Sequence, residues 1–123
     1  MSQNTPSEHT DVAREPEDLS RLFLRRVNAG DVDGLVALYE SDAVLATPDG
    51  GEVRGEAGIR AFYAALVASA PRFAPGEQHP ALRVGDLALT STRLPGGAGA
   101  TAEVARQQPD GTWRWILDRP NVL

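Results

Sequence analysis

Leu19, Leu22, Phe23, Arg26 and Val27 fall on one stripe at helical spacing, behind Pro16, which suits a first turn, and Glu17 and Asp18, which complement the positive end of a helix. This first helix stops at "NAGD", where Gly30 can take a left-handed cap. Asp31 then caps a second helix in which Leu35, Leu38 and Tyr39 share a face. Ala43 to Thr47 predicts a strand, closed by Pro48 and by Asp49-Gly50-Gly51. A long helix follows from about Gly55 to Ser69, with Ile59, Phe62, Tyr63, Leu66 and Val67 as its apolar stripe and Pro71 beyond its end. Four strand-like runs close the chain, "EQHPALRV", "DLALTSTRL", "ATAEVARQQ" and "TWRWILDR", separated by "GD", "PGGAG" and "PDG". Helices first and a meander afterwards predict an α+β domain, in which an antiparallel sheet curls around helices on one face.

The polar start, Met1 to Glu15, has no apolar pair spaced to face a core and reads as a disordered tail; the single domain spans residues 16–123. At 123 residues the chain holds one core. Twelve basic against 17 acidic residues give a net charge of −5, which argues against nucleic acid as a partner. With no cysteine, disulfides and thiolate metal sites are excluded, and a reducing cytoplasm fits. No segment approaches the ~20 apolar residues of a membrane span, so neither membrane insertion nor a secretory leader is expected. His9 in the tail and His79 before Pro80 make no metal triad, "PGGAG" lies between strands rather than before a helix, and neither a metal nor a cofactor is expected.

The strings "NAGDVDGLVALY", "DAV" before a strand, "GIRAFY" opening the long helix, "DLALTSTRL" and "DGTWRWILDRPN" carry a resemblance to a known superfamily. Over about Pro16 to Asn121 the chain resembles the nuclear transport factor 2-like superfamily, in particular its SnoaL-like polyketide cyclase and ketosteroid isomerase branches. The resemblance implies a cone of curved sheet around a mostly apolar pocket, usually in a homodimer. It also implies site positions. The aspartate base of ketosteroid isomerases falls on Thr47, and the tyrosine that donates to the oxyanion falls on Phe23, whose ring has no donor. Steroid isomerisation with an aspartate base is therefore not expected. Two supporting tyrosines match Tyr39 and Tyr63, and the acid of the oxyanion hole matches Glu103. In the same ungapped match Ile116 and Asp118 face the pocket, while Trp113, Trp115 and Leu117 face the opposite side, where they would form the dimer interface; one slipped residue at "PDG" would swap these faces.

Each candidate has a structural alternative. Asp49 reads as a turn residue within Pro-Asp-Gly rather than a catalytic carboxylate. Thr47 either bonds a ligand or satisfies a neighbouring backbone group. Glu103 interrupts an apolar strand; facing the pocket it would be a carboxylate with a raised pKa, within hydrogen-bonding reach of Tyr39 or Tyr63, and otherwise a buried pair or a surface acid. Asp118 has the same duality, with Arg119 and Arg106 as salt partners. Phe23, Tyr39, Thr47, Phe62, Tyr63 and Ile116 are the expected ligand contacts, and Glu103 and Asp118 the expected catalytic pair. Two functions remain open: a cofactor-independent acid–base isomerase, cyclase or hydrolase acting on an apolar, polyketide- or isoprenoid-like molecule of secondary metabolism, and a binding or scaffold protein with the same pocket.

Overall fold

The computed structural model describes residues 11–122. Helix α1 (Asp18–Ala29) buries Leu19, Leu22, Arg26 and Val27 and ends at Gly30, whose φ of 70° places it in the left-handed region. The Asp31 side chain then accepts from the Gly34 N–H and caps the short helix α2 (Val32–Val36). Arg26 is buried because its guanidinium finds carbonyls, Gly34 O at 2.7 Å and Asp11 O at 2.6 Å, and so ties α1 to both neighbouring segments. Strand β1 (Tyr39–Ala46) is followed by β2 (Glu52–Arg54) and by helix α3 (Gly55–Ala68). Then come β3 (Glu77–Gln78), β4 (Leu82–Val84), β5 (Leu87–Thr90), β6 (Thr92–Arg93), a 3-10 turn at Pro95–Gly97, β7 (Ala102–Gln107) and β8 (Trp113–Arg119).

Six strands form one sheet in the order β2-β1-β8-β7-β5-β4, and β3 pairs with β6. All pairs are antiparallel except β1 with β8, which run parallel. The architecture is α+β, with the sheet curled against the helices. Within the expected tail, residues 1–10 lie outside the described residues, while residues 11–15 are docked. The Ala13 carbonyl accepts from the Trp113 N–H at 2.8 Å, and Asp11 pairs with Arg25.

Three expectations about the elements are corrected. Tyr39 opens β1 rather than closing α2, which ends at Val36. Glu52–Arg54, between the expected turn and the expected long helix and given no element there, forms a strand that pairs with β1 through Ala46, Leu45 and Val44. The third correction decides which face of the last strand lies inside. Trp113 and Trp115 are both buried, at 2% and 3% exposure, and Leu117 is 49% exposed. Asp118 is nevertheless also buried. A strictly alternating strand cannot do this, because residues 115 and 118 would face opposite sides. The pairing with β7 shows the cause: Ala105 faces Trp115 and Val104 faces Leu117, so Ile116 is an extra residue, a β-bulge. The slip occurs inside "WIL" rather than at "PDG", and Trp113 and Trp115 are core residues rather than an outer interface.

Two rows cross the sheet side by side. Thr90, Glu103, Asp118 and Leu45 are consecutive cross-strand partners and all buried. Leu82, Leu89, Val104, Leu117 and Val44 form the next row, whose side chains point to the outer face; Leu82, Leu89 and Leu117 are exposed.

If the bulge sets the faces of β8, Trp115→Ala should destabilise the fold by about 3–5 kcal/mol, while the neighbouring exposed Arg114→Ala changes it by less than about 0.5 kcal/mol. Urea unfolding measures both, and a larger loss for Arg114→Ala than for Trp115→Ala would mean that the faces are reversed.

Candidate functional site

Two residues of the inner row, Glu103 and Asp118, line a cavity of about 360 Å³ between α1, α3 and the sheet, together with Phe23, Leu24, Tyr63, Phe73 and Trp115 among others. Helix α1 supplies Phe23, which stands 6.2 Å from the Tyr63 ring, 6.0 Å from Phe73 and 6.4 Å from Trp115, so the walls are aromatic. Phe73 arrives on the segment after α3, where Ala70 turns the chain with a φ of 52°. Asn28 clamps that segment: its amide donates to Phe73 O at 2.9 Å and its oxygen accepts from Phe73 N at 2.8 Å. Nothing in the helical stripe of α1 announced Asn28 or Phe73, because their pairing is long-range.

Glu103 and Asp118 are direct partners across β7 and β8, and β-ladder geometry brings such Cα atoms to about 5 Å. Tyr39 donates to Asp118 Oδ2 at 2.5 Å, and the Tyr39 and Tyr63 hydroxyls are 2.5 Å apart. A phenol has one proton, so while Tyr39 gives its own to an ionised Asp118, Tyr63 must donate to Tyr39. Glu103 Oε1 accepts from the Thr90 hydroxyl at 2.7 Å, and Thr90 Oγ1 in turn accepts from Trp115 Nε1 at 3.3 Å. The tyrosines therefore serve Asp118 and not, as expected, Glu103. The reason is the strand position of Tyr39: it is the β1 partner of Trp115, beside β8.

Among the described residues neither acid forms an ion pair. Arg106 pairs with Glu40 at 3.0 Å, and Arg119 is exposed. Burial, reinforced by the charge of Glu103 and opposed by the Tyr39 hydrogen bond, pushes the Asp118 carboxyl up to about 7. Burial likewise raises Glu103, against the pull of the Thr101 and Thr90 hydroxyls. Burial and the Asp118 charge hold both tyrosines well above the usual phenol range, so they stay neutral donors.

The other expected contacts lie elsewhere. Thr47 donates to Asp49 at 2.5 Å and borders a second concavity, of about 600 Å³, with Val44, Leu89, Val104 and Leu117; Glu103 and Asp118 border this concavity as well as the aromatic cavity. Asp49 is a turn residue whose carboxylate also accepts from the Gly51 N–H; the Thr47 hydroxyl first, and this N–H second, draw its pKa down. Phe62 packs edge-on against Tyr63, at 5.2 Å, outside the cavity lining. Ile116, displaced by the bulge, is not among the lining residues, and Tyr39 lies behind Tyr63. Thr90 and Trp115 join the site unforeseen; once β5, β7 and β8 are in register, the shared row is the signal that finds them. Among the described residues no group of three or more histidines, cysteines or acids is placed to hold a metal, and no helix is long and apolar enough to cross a membrane.

The SnoaL-like domain family model matches residues 20–116, from α1 into the last strand. The chain belongs to this family. Over 85 residues, 68% of the chain, the sequence is 35% identical to the epoxide hydrolase LasB of Streptomyces lasalocidi, and the match spans 30% of that protein's length. A calcium/calmodulin-dependent protein kinase type II association domain, so assigned, from Thiobacillus denitrificans superposes with a TM-score of 0.72 at 22% identity, over 89% of this chain and 98% of that one. A nuclear transport factor 2-like protein with a cystatin-like fold from Novosphingobium aromaticivorans superposes with a TM-score of 0.63 at 22% identity, over 86% and 78%. These likenesses establish the fold of this SnoaL-like domain and no activity.

The raised Asp118 pKa has a consequence for stability. Between about pH 4 and 7 the folded chain holds a proton that the unfolded chain releases, so stability falls as pH rises through that window and levels off above it. Glu103 acts in the same direction. In urea unfolding at pH 4 to 8, Asp118→Asn should flatten this slope by up to about 1.4 kcal/mol per pH unit. An unchanged slope would show that Asp118 titrates as an ordinary surface acid.

Proposed function

We propose that the protein binds a small, largely apolar molecule, polyketide- or isoprenoid-like, in the aromatic cavity and acts on it by acid–base catalysis through Asp118 and Glu103. The observation that carries this reading is that two acids, neighbours across β7 and β8 and without an ion pair among the described residues, line the same aromatic cavity. An acid with a pKa near 7 can give its proton to a carbonyl or ether oxygen, while a neighbouring carboxylate takes one from a C–H or O–H of the substrate or from water. Isomerisation, cyclisation and hydrolysis all need this pair of transfers, with no further group. The likeness to LasB supports an epoxide as one such oxygen: protonation weakens the C–O bond, and Glu103 deprotonates the attacking hydroxyl or water. Family membership supports a place in secondary metabolism. The resemblance puts the oxyanion donor of steroid isomerisation at Phe23, which has no donor, and its base at Thr47, which lies outside the cavity lining, and this favours the strand acids instead.

A panel of apolar ketones and epoxides, screened by quenching of Trp115 fluorescence and then for turnover, tests the reading. Asp118→Asn and Glu103→Gln should each lower kcat by about 10²–10⁴-fold while retaining binding. Ligands that bind without turnover, with both variants silent, would favour the binding-protein alternative.

The homodimer proposal moves from the tryptophans to the outer row, where Leu82, Leu89, Val104, Leu117 and Val44 form an apolar band across five strands. A second copy would cover it. Sedimentation at micromolar concentration should give a dimer that Leu117→Glu dissociates; a monomeric wild type would overturn the proposal.

A further inference from the structure

The two acids terminate two donor chains that differ in one respect. Between Tyr63, Tyr39 and Asp118 every link joins hydroxyl to hydroxyl or hydroxyl to carboxyl, so the chain can run in either direction. Asp118 is therefore satisfied both ionised, accepting from Tyr39, and protonated, donating to it. The chain to Glu103 runs one way. An indole N–H only donates, so the Trp115 bond occupies a lone pair of Thr90 Oγ1 and leaves the single hydroxyl hydrogen for Glu103. Thr90 is 2% exposed and is the direct β5 partner of Glu103, so the backbone ladder fixes this orientation.

We propose that Thr90 is a positioning residue that holds Glu103 as the proton acceptor of the pair and leaves the shared proton on Asp118. The proposal rests on the acid–base reading of the cavity, to which it assigns roles. The hydrogen bond that Thr90 donates to Oε1 is stronger to the carboxylate than to the neutral acid and so favours ionised Glu103, and the Thr101 hydroxyl assists. The remaining groups that face Glu103 leave this assignment intact. From β8 comes Asp118, whose charge opposes ionisation of both acids together. From α3 comes Tyr63, which stays neutral. From α1 Arg21 reaches the same cavity with its side chain 57% exposed, and in the outer concavity that Glu103 also borders Arg54 pairs with Glu52 while Arg119 is exposed, so solvent screens all of them. A substrate consequently meets a donor on the Asp118 side and an acceptor on the Glu103 side.

Carbon-13 NMR of labelled aspartate and glutamate carboxyls, followed from pH 4 to 9, reads each acid separately and needs no substrate. In the wild type Glu103 should lose its proton at lower pH than Asp118. Thr90→Val, which removes the hydroxyl at nearly constant shape, should raise the Glu103 midpoint by about one pH unit, a tenfold gain in proton affinity, with the Asp118 midpoint falling in compensation. Thr90→Ser, which keeps the donor, should restore the wild-type order. A Glu103 midpoint unmoved in Thr90→Val, or moved equally in Thr90→Ser, would overturn the proposal even if Glu103→Gln abolishes turnover. The expected midpoints without any turnover would instead uphold the positioning role and count against catalysis.

Discussion

Between Trp115 and Leu117 the last strand carries one residue more than the strand beside it, and most of the interior depends on that extra residue. Without Ile116 as a bulge, β8 could bury either its two tryptophans or Asp118. With it, the largest rings of the core and the most perturbed acid of the site project from one strand into one space. A bulge also sharpens local twist, which suits a sheet that must curl against α1 and α3. Packing and chemistry are thus set by the same local irregularity. Trp115 shows the coupling directly: it is a core residue, a cavity wall and the donor to Thr90.

Burying two carboxylates against aromatic rings is costly, and no arginine neutralises them. The structure offsets the cost with neutral donors, Tyr39 for Asp118 and Thr90 for Glu103. Such donors stabilise a carboxylate less than a cation would, so both acids remain raised and one proton stays in the pair near neutrality. An ion pair would have made a more firmly ionised site with no proton to give. The tyrosines behave as part of the same device, since burial keeps them protonated.

The order of elements, the Gly30 and Asp31 caps, the long helix and the interior position of Glu103 were legible because each rests on local chemistry: a left-handed glycine, an Asx cap, a helical stripe and an acid inside an apolar run. What escaped was non-local. The Ile116 bulge has no signature in "WRWILDR", where simple alternation is an equally good reading, and it reversed the assignment of Trp113, Trp115 and Ile116. Tyr39 followed a helical stripe up to its last residue, yet pairing with Trp115 drew it into β1. Thr90 became visible only once its register with Glu103 was known, because a threonine in a strand is otherwise unremarkable.

Proton bookkeeping also narrows the chemistry that such a site can support. Phe23 offers no hydrogen bond, so beside the two acids an oxygen that gains negative charge would find no fixed set of donors comparable to an oxyanion hole. The pair presents one mobile proton instead. When Tyr39 donates to Asp118, a proton on Asp118 sits on its other carboxyl oxygen. When the phenol chain is reversed, Asp118 donates to Tyr39, Tyr39 to Tyr63, and the hydroxyl hydrogen of Tyr63, itself a lining residue, is free to be donated onward. Either way a ligand meets one acidic hydrogen that it can take completely, with a phenol chain to relay the replacement. Full transfer favours oxygens whose reaction is driven by protonation, as in ring opening of an ether or loss of water from an alcohol, over those that need a long-lived enolate held by hydrogen bonds. The apolar aromatic walls act in the same direction, since they exclude the water that would otherwise compete for the proton and for the cationic carbon it generates.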